Sequence, residues 1–188
     1  DQWRVTVTYH DHVKEYLMHN YFSLGIDAAA ALKFHEERQR HPERFSSQAK
    51  NVIKYALFGF ESAFDGVPLG TGFSVMDSIS ETPIDINPLW KGVVVGNVPC
   101  YQGGKPFWGN EPSGQSNSDF FYNCTHDRHL EVMALSGSLH IGLVHLNIDN
   151  AIQLCRVAGL RFDVADDIAM QVDGEPWLQK GPCTVCVD

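Results

Sequence analysis

The feature of this sequence that most constrains its fold is a series of short β-rich runs, separated by glycine and proline, that extends from Asp65 to the C-terminus. These runs are predicted to be strands over residues 72–76, 92–98, 130–135, 141–147, 152–157, 160–164, 168–172 and 184–187. Near the N-terminus, apolar and polar residues alternate from Trp3 to Tyr9, and a strand-like run covers residues 21–26. Short strands at regular spacing with turn signals between them are typical of a β-sandwich or a partly closed barrel.

Two helices are predicted to interrupt the strands near the N-terminus. Asp27 is well placed to cap a helix over residues 28 to about 40, and Ser46 or Ser47 to cap a second one. The second helix is predicted from apolar residues at helical spacing, namely Ala49, Val52, Ile53, Ala56, Leu57 and Phe60. The sequence therefore predicts one mainly β domain of the α+β class over residues 1–188, a β-sandwich or partly closed barrel with a two-helix insertion near its N-terminus.

Charge and composition narrow the classes of function. The formal net charge of −9 opposes sequence-independent nucleic-acid binding, because phosphates need compensating cations. With 44% hydrophobic residues the chain can bury a core, but no apolar run approaches the roughly 18 residues of a membrane span. The five cysteines are an odd number and are scattered, which favours a reducing cytosol over a secreted disulfide scaffold. These observations predict a cytoplasmic globular protein that binds no nucleic acid.

The sequence contains none of the common motifs that bind nucleotides. Gly103-Gly104-Lys105 includes a Gly-Lys pair but lacks the earlier glycine of a phosphate loop, and Pro106 follows it. Residues 70–72 (GTG) lack the third glycine of a dinucleotide fingerprint. A GxSxG nucleophile elbow is also absent. We therefore expect that this chain does not hold ATP or NAD by itself.

Potential metal ligands occur at several places, but none forms a recognisable site. Cys183 and Cys186 lie in a predicted strand, where residues three apart point to opposite faces, and no second pair completes a zinc site. His10 and His12 are expected to share a strand face. Residues 126–129 (HDRH) place three possible ligands close together, although histidines in exposed loops are common. We predict no metal site within this chain.

A pair of carboxylates beside a glycine is the most distinctive polar feature. Strand-like residues lead into the Asp173-Gly174 dipeptide, and Glu175 follows directly. Asp-Gly is a typical hairpin turn, and spacing alone favours that plain structural interpretation. The functional alternative is that two carboxylates on a rigid turn orient a hydroxyl and a metal-bound phosphate.

Several motifs together resemble a known family. Residues 20–28 (NYFSLGIDA), followed by KFH and HPERF, closely resemble the opening of the accessory domain of eukaryotic diacylglycerol kinases. Later motifs of that family have counterparts here in the same order, over residues 97–99 (NVP), 103–104 (GG), 108–109 (WG), 130–132 (LEV), 171–177 (QVDGEPW) and 182–184 (PCT). The resemblance spans nearly the whole chain.

The resemblance implies a two-lobed lipid kinase of which this chain is the C-terminal lobe, a β-sandwich with a helical insertion. An N-terminal lobe with a Gly-Gly-Asp-Gly loop would bind ATP and Mg²⁺ and would be the partner of this one. The intact enzyme would transfer the γ-phosphoryl group of ATP to diacylglycerol, giving phosphatidic acid, as a cytoplasmic protein that associates peripherally with membranes. The isolated chain is expected to be inactive. Its start at Asp1, without an initiator methionine, predicts that it belongs to something longer.

The resemblance also assigns roles to particular carboxylates. Asp173 would accept or orient the proton of the acceptor hydroxyl, and Glu175 would tune Asp173 or reach the magnesium through water. Asp27 would orient the substrate, because an aspartate at this position lies towards the lipid headgroup in related lipid kinases. One alternative is a non-catalytic lipid-binding or pseudokinase module.

A metal-dependent hydrolase is a second alternative. It would use the side chains of His126, Asp127 and His129, and it predicts stoichiometric zinc in the purified protein.

Overall fold

The computed structural model of the protein describes residues 1–45, 67–101, 105–106, 124–137 and 152–188. Within these residues the strands are β1 (Trp3–Tyr9), β2 (His12–Met18), β3 (Tyr21–Gly25), β4 (Phe73–Asp77), β5 (Thr82–Ile84), β6 (Gly92–Gly96), β7 (Cys100–Tyr101), β8 (Lys105–Pro106), β9 (Leu130–Leu135), β10 (Ile152–Val157), β11 (Leu160–Val164), β12 (Ile168–Val172), β13 (Glu175–Gln179) and β14 (Cys183–Val187). The helical elements are α1 (Ile26–Arg40) and a short 3₁₀ helix (Pro42–Phe45).

The strands form two antiparallel sheets of six strands each and a small β7–β8 pair. The first sheet has the order β2-β1-β14-β11-β4-β5, and the second has the order β10-β9-β6-β3-β12-β13. Their inner faces share one hydrophobic core, to which β1, β11 and β14 contribute alternate residues. The predicted mainly β class is confirmed, and within the described residues the architecture is a two-sheet sandwich rather than a closed barrel.

Aromatic side chains join the two sheets at the centre of the core. The ring of Phe162 in the first sheet lies 5.9 Å from that of Phe22 in the second and 6.0 Å from that of Phe73. Phe22 and Phe162 are fully buried. Burial of a side chain of this size stabilises the fold by about 1.5–3 kcal/mol. These contacts fix the second sheet, whose outer face carries the site, against the first.

Several strands begin and end at the predicted residues, and other strands were not predicted. The strands β1, β9, β10, β11 and β12 have the predicted limits, whereas β2, β5 and β13 were not predicted. Pro176 lies within β13, which is an edge strand, where a missing N–H group is tolerated. The predicted strand over residues 141–147 and the predicted second helix lie outside the described residues.

The prediction that His10 and His12 share a strand face is wrong. The strand β1 ends at Tyr9, and His10 adopts a φ of 49° in the turn that leads to β2, which begins at His12. His12 instead pairs with Tyr9 across the hairpin. The two histidines therefore belong to a turn and to the strand after it.

The helix α1 begins earlier than predicted, and Asp27 does not cap it. Gly25 is the N-cap residue, with φ of 90° and ψ of −139°, and as a glycine it offers no side chain for a cap hydrogen bond. Asp27 already lies in the first turn, so its carboxylate is directed elsewhere. The helix packs against β3, β12 and β13, and thereby covers part of the outer face of the second sheet. Within the described residues, no helix combines the length and apolar character needed to cross a bilayer.

Candidate functional site

The Asp173-Gly174 dipeptide forms the tight turn between β12 and β13, as the hairpin interpretation predicted. Asp173 has φ of 50° and Gly174 has φ of 90°. Two successive positive φ values are typical of the hairpin turns that Asp-Gly sequences favour. The turn lies at the surface, because Gly174 and Glu175 are exposed. The Asp173 side chain is partly accessible at 21% exposure.

The Asp173 carboxylate is held by three main-chain amides of the turn between β2 and β3. Oδ2 accepts a hydrogen bond from the His19 amide at 2.8 Å. Oδ1 accepts from the amides of Asn20 at 2.8 Å and Tyr21 at 2.9 Å. The Asp173 amide in turn donates to the Tyr21 carbonyl at 2.9 Å. This arrangement fixes a partly exposed carboxylate in one orientation without any positively charged side chain in hydrogen-bond contact among the described residues.

One oxygen of this carboxylate retains room for a further donor. A carboxylate offers about four acceptor positions, two on each oxygen. Oδ1 uses two of them, whereas among the described residues Oδ2 accepts only from the His19 amide. The His19 imidazole Nδ1 lies 3.6 Å from Oδ2, which is beyond ordinary hydrogen-bond length. Oδ2 is therefore the oxygen to which an incoming hydroxyl can donate.

Asp27 lies on the same outer face of the second sheet, but inside it. Its carboxylate is 1% exposed. Oδ2 of Asp27 accepts from the Ser23 hydroxyl at 2.8 Å and from the Gln171 amide, and that amide also donates to Ser23 at 2.8 Å. Ser23 and Gln171 are direct partners in the β3–β12 register. The predicted capping role of Asp27 is replaced by this buried polar cluster beneath α1.

Tyr21 lies close enough to both carboxylates to feel their charges, and its part in the site was not predicted from the sequence. Burial, together with the negative charges of Asp27 and Asp173, raises the pKa of the Tyr21 hydroxyl well above its ordinary value. A side chain at Gly174 would come within 3.6 Å of that hydroxyl, so the hydroxyl lies next to the turn. Tyr21 therefore remains neutral beside the exposed turn.

Glu175 is not brought into the Asp173 network. It pairs with Val172, whose side chain belongs to the core, so Glu175 leaves the sheet on the opposite face from Gln171. Its side chain is exposed. The two carboxylates that flank Gly174 are therefore neighbours in sequence but are not directed at the same point.

A second buried carboxylate lies farther along the same sheet. Glu131 on β9 is 2% exposed, and among the described residues neither of its carboxylate oxygens has a hydrogen-bond partner. Burial raises the pKa of Glu131 to about 7, although Arg156 lies beside it, with Nε 3.5 Å from Oε1. The other arm of Arg156 pairs with Asp127.

This carboxyl predicts a pH-dependent stability. Because the folded pKa of Glu131 is higher than its unfolded value, the carboxyl favours the folded state below about pH 4.5 and loses that contribution as the pH rises through about 7. As the pH rises from 5 to 8, the native chain should therefore lose about 2 kcal/mol of unfolding free energy at this carboxyl. Glu131→Gln should not lose it, so the stability of the variant relative to the native chain should rise by the same amount. Thermal unfolding at both pH values measures this, with the exposed Glu15→Gln as control. An equal difference in Tm at the two pH values would contradict it.

The residues of the hydrolase alternative do not form a metal-binding group. Asp127 pairs with Arg156 and also accepts from the His129 amide at 3.0 Å. The His126 ring lies against the Cys124 thiol at 3.2 Å. Within the part of the chain that the structure describes, no three His, Cys, Asp or Glu side chains are arranged to hold a metal ion. Cys183 is buried and Cys186 is partly exposed, on alternate faces of β14 as predicted.

A comparison with protein families places this fold and site. A family model described as the diacylglycerol kinase accessory domain matches residues 17–176. This chain belongs to that family. The motif over residues 20–28 forms β3 and the start of α1, and the motif over residues 171–177 forms the β12–β13 hairpin. The most specific motifs of the accessory domain therefore meet at the site described above.

Curated relatives agree with this assignment. The accessory domain is 32% identical over 170 residues to diacylglycerol kinase 1 of Arabidopsis thaliana. The aligned region covers 90% of this chain and 23% of that protein. It is 34% identical over 165 residues to diacylglycerol kinase eta of Drosophila mojavensis, which covers 87% of this chain and 8% of that protein. The chain thus spans less than a quarter of the length of these relatives.

A solved structure shares the fold. The accessory domain matches the crystal structure of a diacylglycerol kinase from Bacillus anthracis str. Sterne with a TM-score of 0.50 and 12% identity. The match covers 99% of this chain and 53% of that one. At this identity the similarity concerns the fold alone.

Proposed function

We propose that this accessory domain is the C-terminal catalytic lobe of an ATP-dependent diacylglycerol kinase. In the full-length protein it would present the acceptor side of the reaction, in which the γ-phosphoryl group of ATP is transferred to the primary hydroxyl of diacylglycerol to give phosphatidic acid. The observation that carries the proposal is the Asp173 carboxylate, which is partly exposed, held by three amides and open to one further donor on Oδ2.

Phosphoryl transfer depends mainly on positioning and on neutralisation of charge. We assign to Asp173 the orientation of the acceptor hydroxyl, which donates its hydrogen bond to Oδ2. A primary alcohol is a very weak acid, so the carboxylate takes the proton only as the bond between the alcohol oxygen and the γ-phosphorus forms. The bond from that phosphorus to the bridging oxygen of ADP breaks in the same step.

The other two carboxylates are assigned supporting roles. Asp27 is 1% exposed and is bonded to Ser23 and Gln171, so it orients the substrate indirectly, by holding the paired strands β3 and β12 that carry the site, rather than by direct contact. Glu175 is exposed beside the turn and is free to face a second lobe, where it reaches magnesium through water.

ATP and Mg²⁺ are assigned to the N-terminal lobe. Within the described residues no cluster fits a metal ion, and the sequence contains no phosphate loop. The net charge of −9 opposes an electrostatic grip on anionic lipid, so peripheral docking of this cytoplasmic enzyme on a membrane depends on regions outside this chain.

Phosphatidic acid formation tests the proposed function. The full-length protein, supplied with radiolabelled ATP and phosphatidylcholine vesicles that contain diacylglycerol, should produce labelled phosphatidic acid. The accessory domain alone should produce none. A full-length protein that binds diacylglycerol vesicles without turnover would instead support a non-catalytic lipid-binding module.

A further inference from the structure

Asn97 follows β6, and its buried side chain makes three hydrogen bonds near the site. It is 2% exposed. Its Oδ1 accepts from the Trp3 indole N–H at 2.8 Å. Its Nδ2 donates to the carbonyl of Asp1 at 3.0 Å and to that of His19 at 2.6 Å. Its main-chain N–H donates to the Asn20 carbonyl at 2.8 Å.

Asn97 and Asp173 bind opposite ends of the same two peptide units. In the first unit, the His19 carbonyl accepts from Asn97 and the Asn20 N–H donates to Asp173. In the second unit, the Asn20 carbonyl accepts from Asn97 and the Tyr21 N–H donates to Asp173. A peptide unit is planar, so fixing the direction of its C=O group also fixes the direction of its N–H group. The Asn97 side chain therefore orients the Asn20 N–H group, and the Asn97 main-chain N–H orients the Tyr21 N–H group.

The consequence concerns one oxygen of the catalytic carboxylate. Both of these N–H groups donate to Oδ1 of Asp173. Their direction sets the position of Oδ1 and, through the rigid carboxylate plane, the direction in which Oδ2 faces. Successive hydrogen bonds along such a path also polarise one another, which strengthens the hold on the carboxylate.

We propose that Asn97 is a positioning residue for phosphoryl transfer, which orients the Asp173 carboxylate through the two peptide units of the turn at residues 19–21. The proposal rests on the function proposed above. Asn97 does not touch the substrate, because its amide is buried behind the turn and is engaged by main-chain carbonyls and by Trp3.

The chain offers a matched control for a purely structural role. Trp3→Phe removes the indole donor to Asn97 but leaves both contacts between Asn97 and the peptide units in place. Asn97→Ala removes the side-chain donor to the His19 carbonyl. Asn97→Ser is a milder variant that keeps a polar side chain at this position, and it serves if the alanine variant does not fold. The indole hydrogen bond from Trp3 and the contacts of Asn97 with the two peptide units both contribute to stability, but only the contacts with the peptide units orient Asp173.

Kinetics of the full-length protein separate these roles. At saturating diacylglycerol in phosphatidylcholine vesicles, Asn97→Ala should lower kcat about tenfold or more, because small displacements of a catalytic group are costly. KM for ATP should remain within about twofold of the native value. The kcat of Asn97→Ser should lie between those of the native enzyme and Asn97→Ala, and Trp3→Phe should keep kcat within about twofold of native.

A double variant tests whether Asn97 acts through Asp173. In the Asp173→Asn background, Asn97→Ala should change kcat by less than about twofold. Equal losses in Asn97→Ala and Trp3→Phe, or an undiminished effect in that background, would overturn the inference.

Hydrogen exchange distinguishes failure of this inference from failure of the proposed function. In the full-length protein, Asn97→Ala should speed amide exchange at Asn20 by about tenfold while peptides from β9 keep their rates. Unchanged exchange at the Asn20 amide would refute the positioning role even if Asp173→Asn is inactive. A fully active Asp173→Asn enzyme would refute the proposed role of Asp173, and the positioning role with it.

Discussion

Asp173→Asn in the full-length protein should lower kcat about 10²–10⁴-fold, the usual range for loss of a catalytic proton acceptor. Oδ1 must stay an oxygen to accept from the Asn20 and Tyr21 amides, so the new NH₂ group takes the place of Oδ2. That group can only donate, and the acceptor hydroxyl then loses its partner. The retained contacts of Oδ1 should keep the protein folded, with a fall in Tm of a few degrees.

Asp77→Asn provides the control for this change. The Asp77 carboxylate holds the turn between β4 and β5 by accepting from the Ile79 amide at 2.8 Å and the Ser80 hydroxyl at 2.8 Å. These contacts lower the pKa of Asp77, and the turn belongs to the first sheet, away from the site. Asp77→Asn should lower the Tm by about as much as Asp173→Asn does and should leave kcat unchanged. Transfer of labelled phosphate measures both variants, and a kcat within twofold of native for Asp173→Asn would remove Asp173 from the mechanism.

Gly25→Ala should destabilise the domain by at least about 3 kcal/mol, which corresponds to a fall in Tm of roughly 6–12 °C for a chain of this size. The φ of 90° and ψ of −139° at Gly25 are accessible almost only to glycine. A Cβ atom there would lie 2.2 Å from the Lys91 carbonyl oxygen and 2.7 Å from Gly92 Cα. Both neighbours are main-chain atoms of the adjacent strand, so neither can move aside without breaking the sheet.

Gly137→Ala is the matched control, because a Cβ at Gly137 meets no atom of the described part of the chain within 4 Å. Thermal unfolding of both variants should show a large loss for Gly25→Ala and little change for Gly137→Ala. Gly25 lies between Ser23 and Asp27, so its substitution should also disturb the buried cluster beneath α1. If the Tm of Gly25→Ala fell by less than 2 °C, the strand-to-helix junction would have to be looser than the structure indicates.

The strands could be predicted where sequence patterns reflect burial on one face. In β1, Val5 and Val7 are buried in the core, whereas Arg4 and Thr6 between them point to the other face. The alternation of apolar and polar residues in the sequence matches this pattern of burial. The edge strand β2 escaped prediction because its residues are largely exposed, so little hydrophobic pattern distinguishes them from a loop. The start of α1 was misplaced because a glycine N-cap that is selected by close packing of the main chain leaves no side-chain signature.

The candidate site could be predicted only in part. The resemblance to a family identified Asp27, Asp173 and Glu175, but not how they are arranged. Asp173 is held by main-chain amides, and such donors have no residue type that a sequence could reveal. Pairing of β3 with β12 joins segments about 150 residues apart, and only that pairing brings Gln171 to Asp27. The same pairing places Tyr21 near both Asp27 and Asp173.

The most direct test of the central claim mixes two separately purified lobes. The N-terminal nucleotide-binding lobe and this accessory domain are each assayed alone and then together, with radiolabelled ATP and diacylglycerol vesicles. We expect phosphatidic acid only from the mixture, and none when the accessory domain carries Asp173→Asn. Equal turnover by the N-terminal lobe with and without the accessory domain would show that these carboxylates take no part in the chemistry.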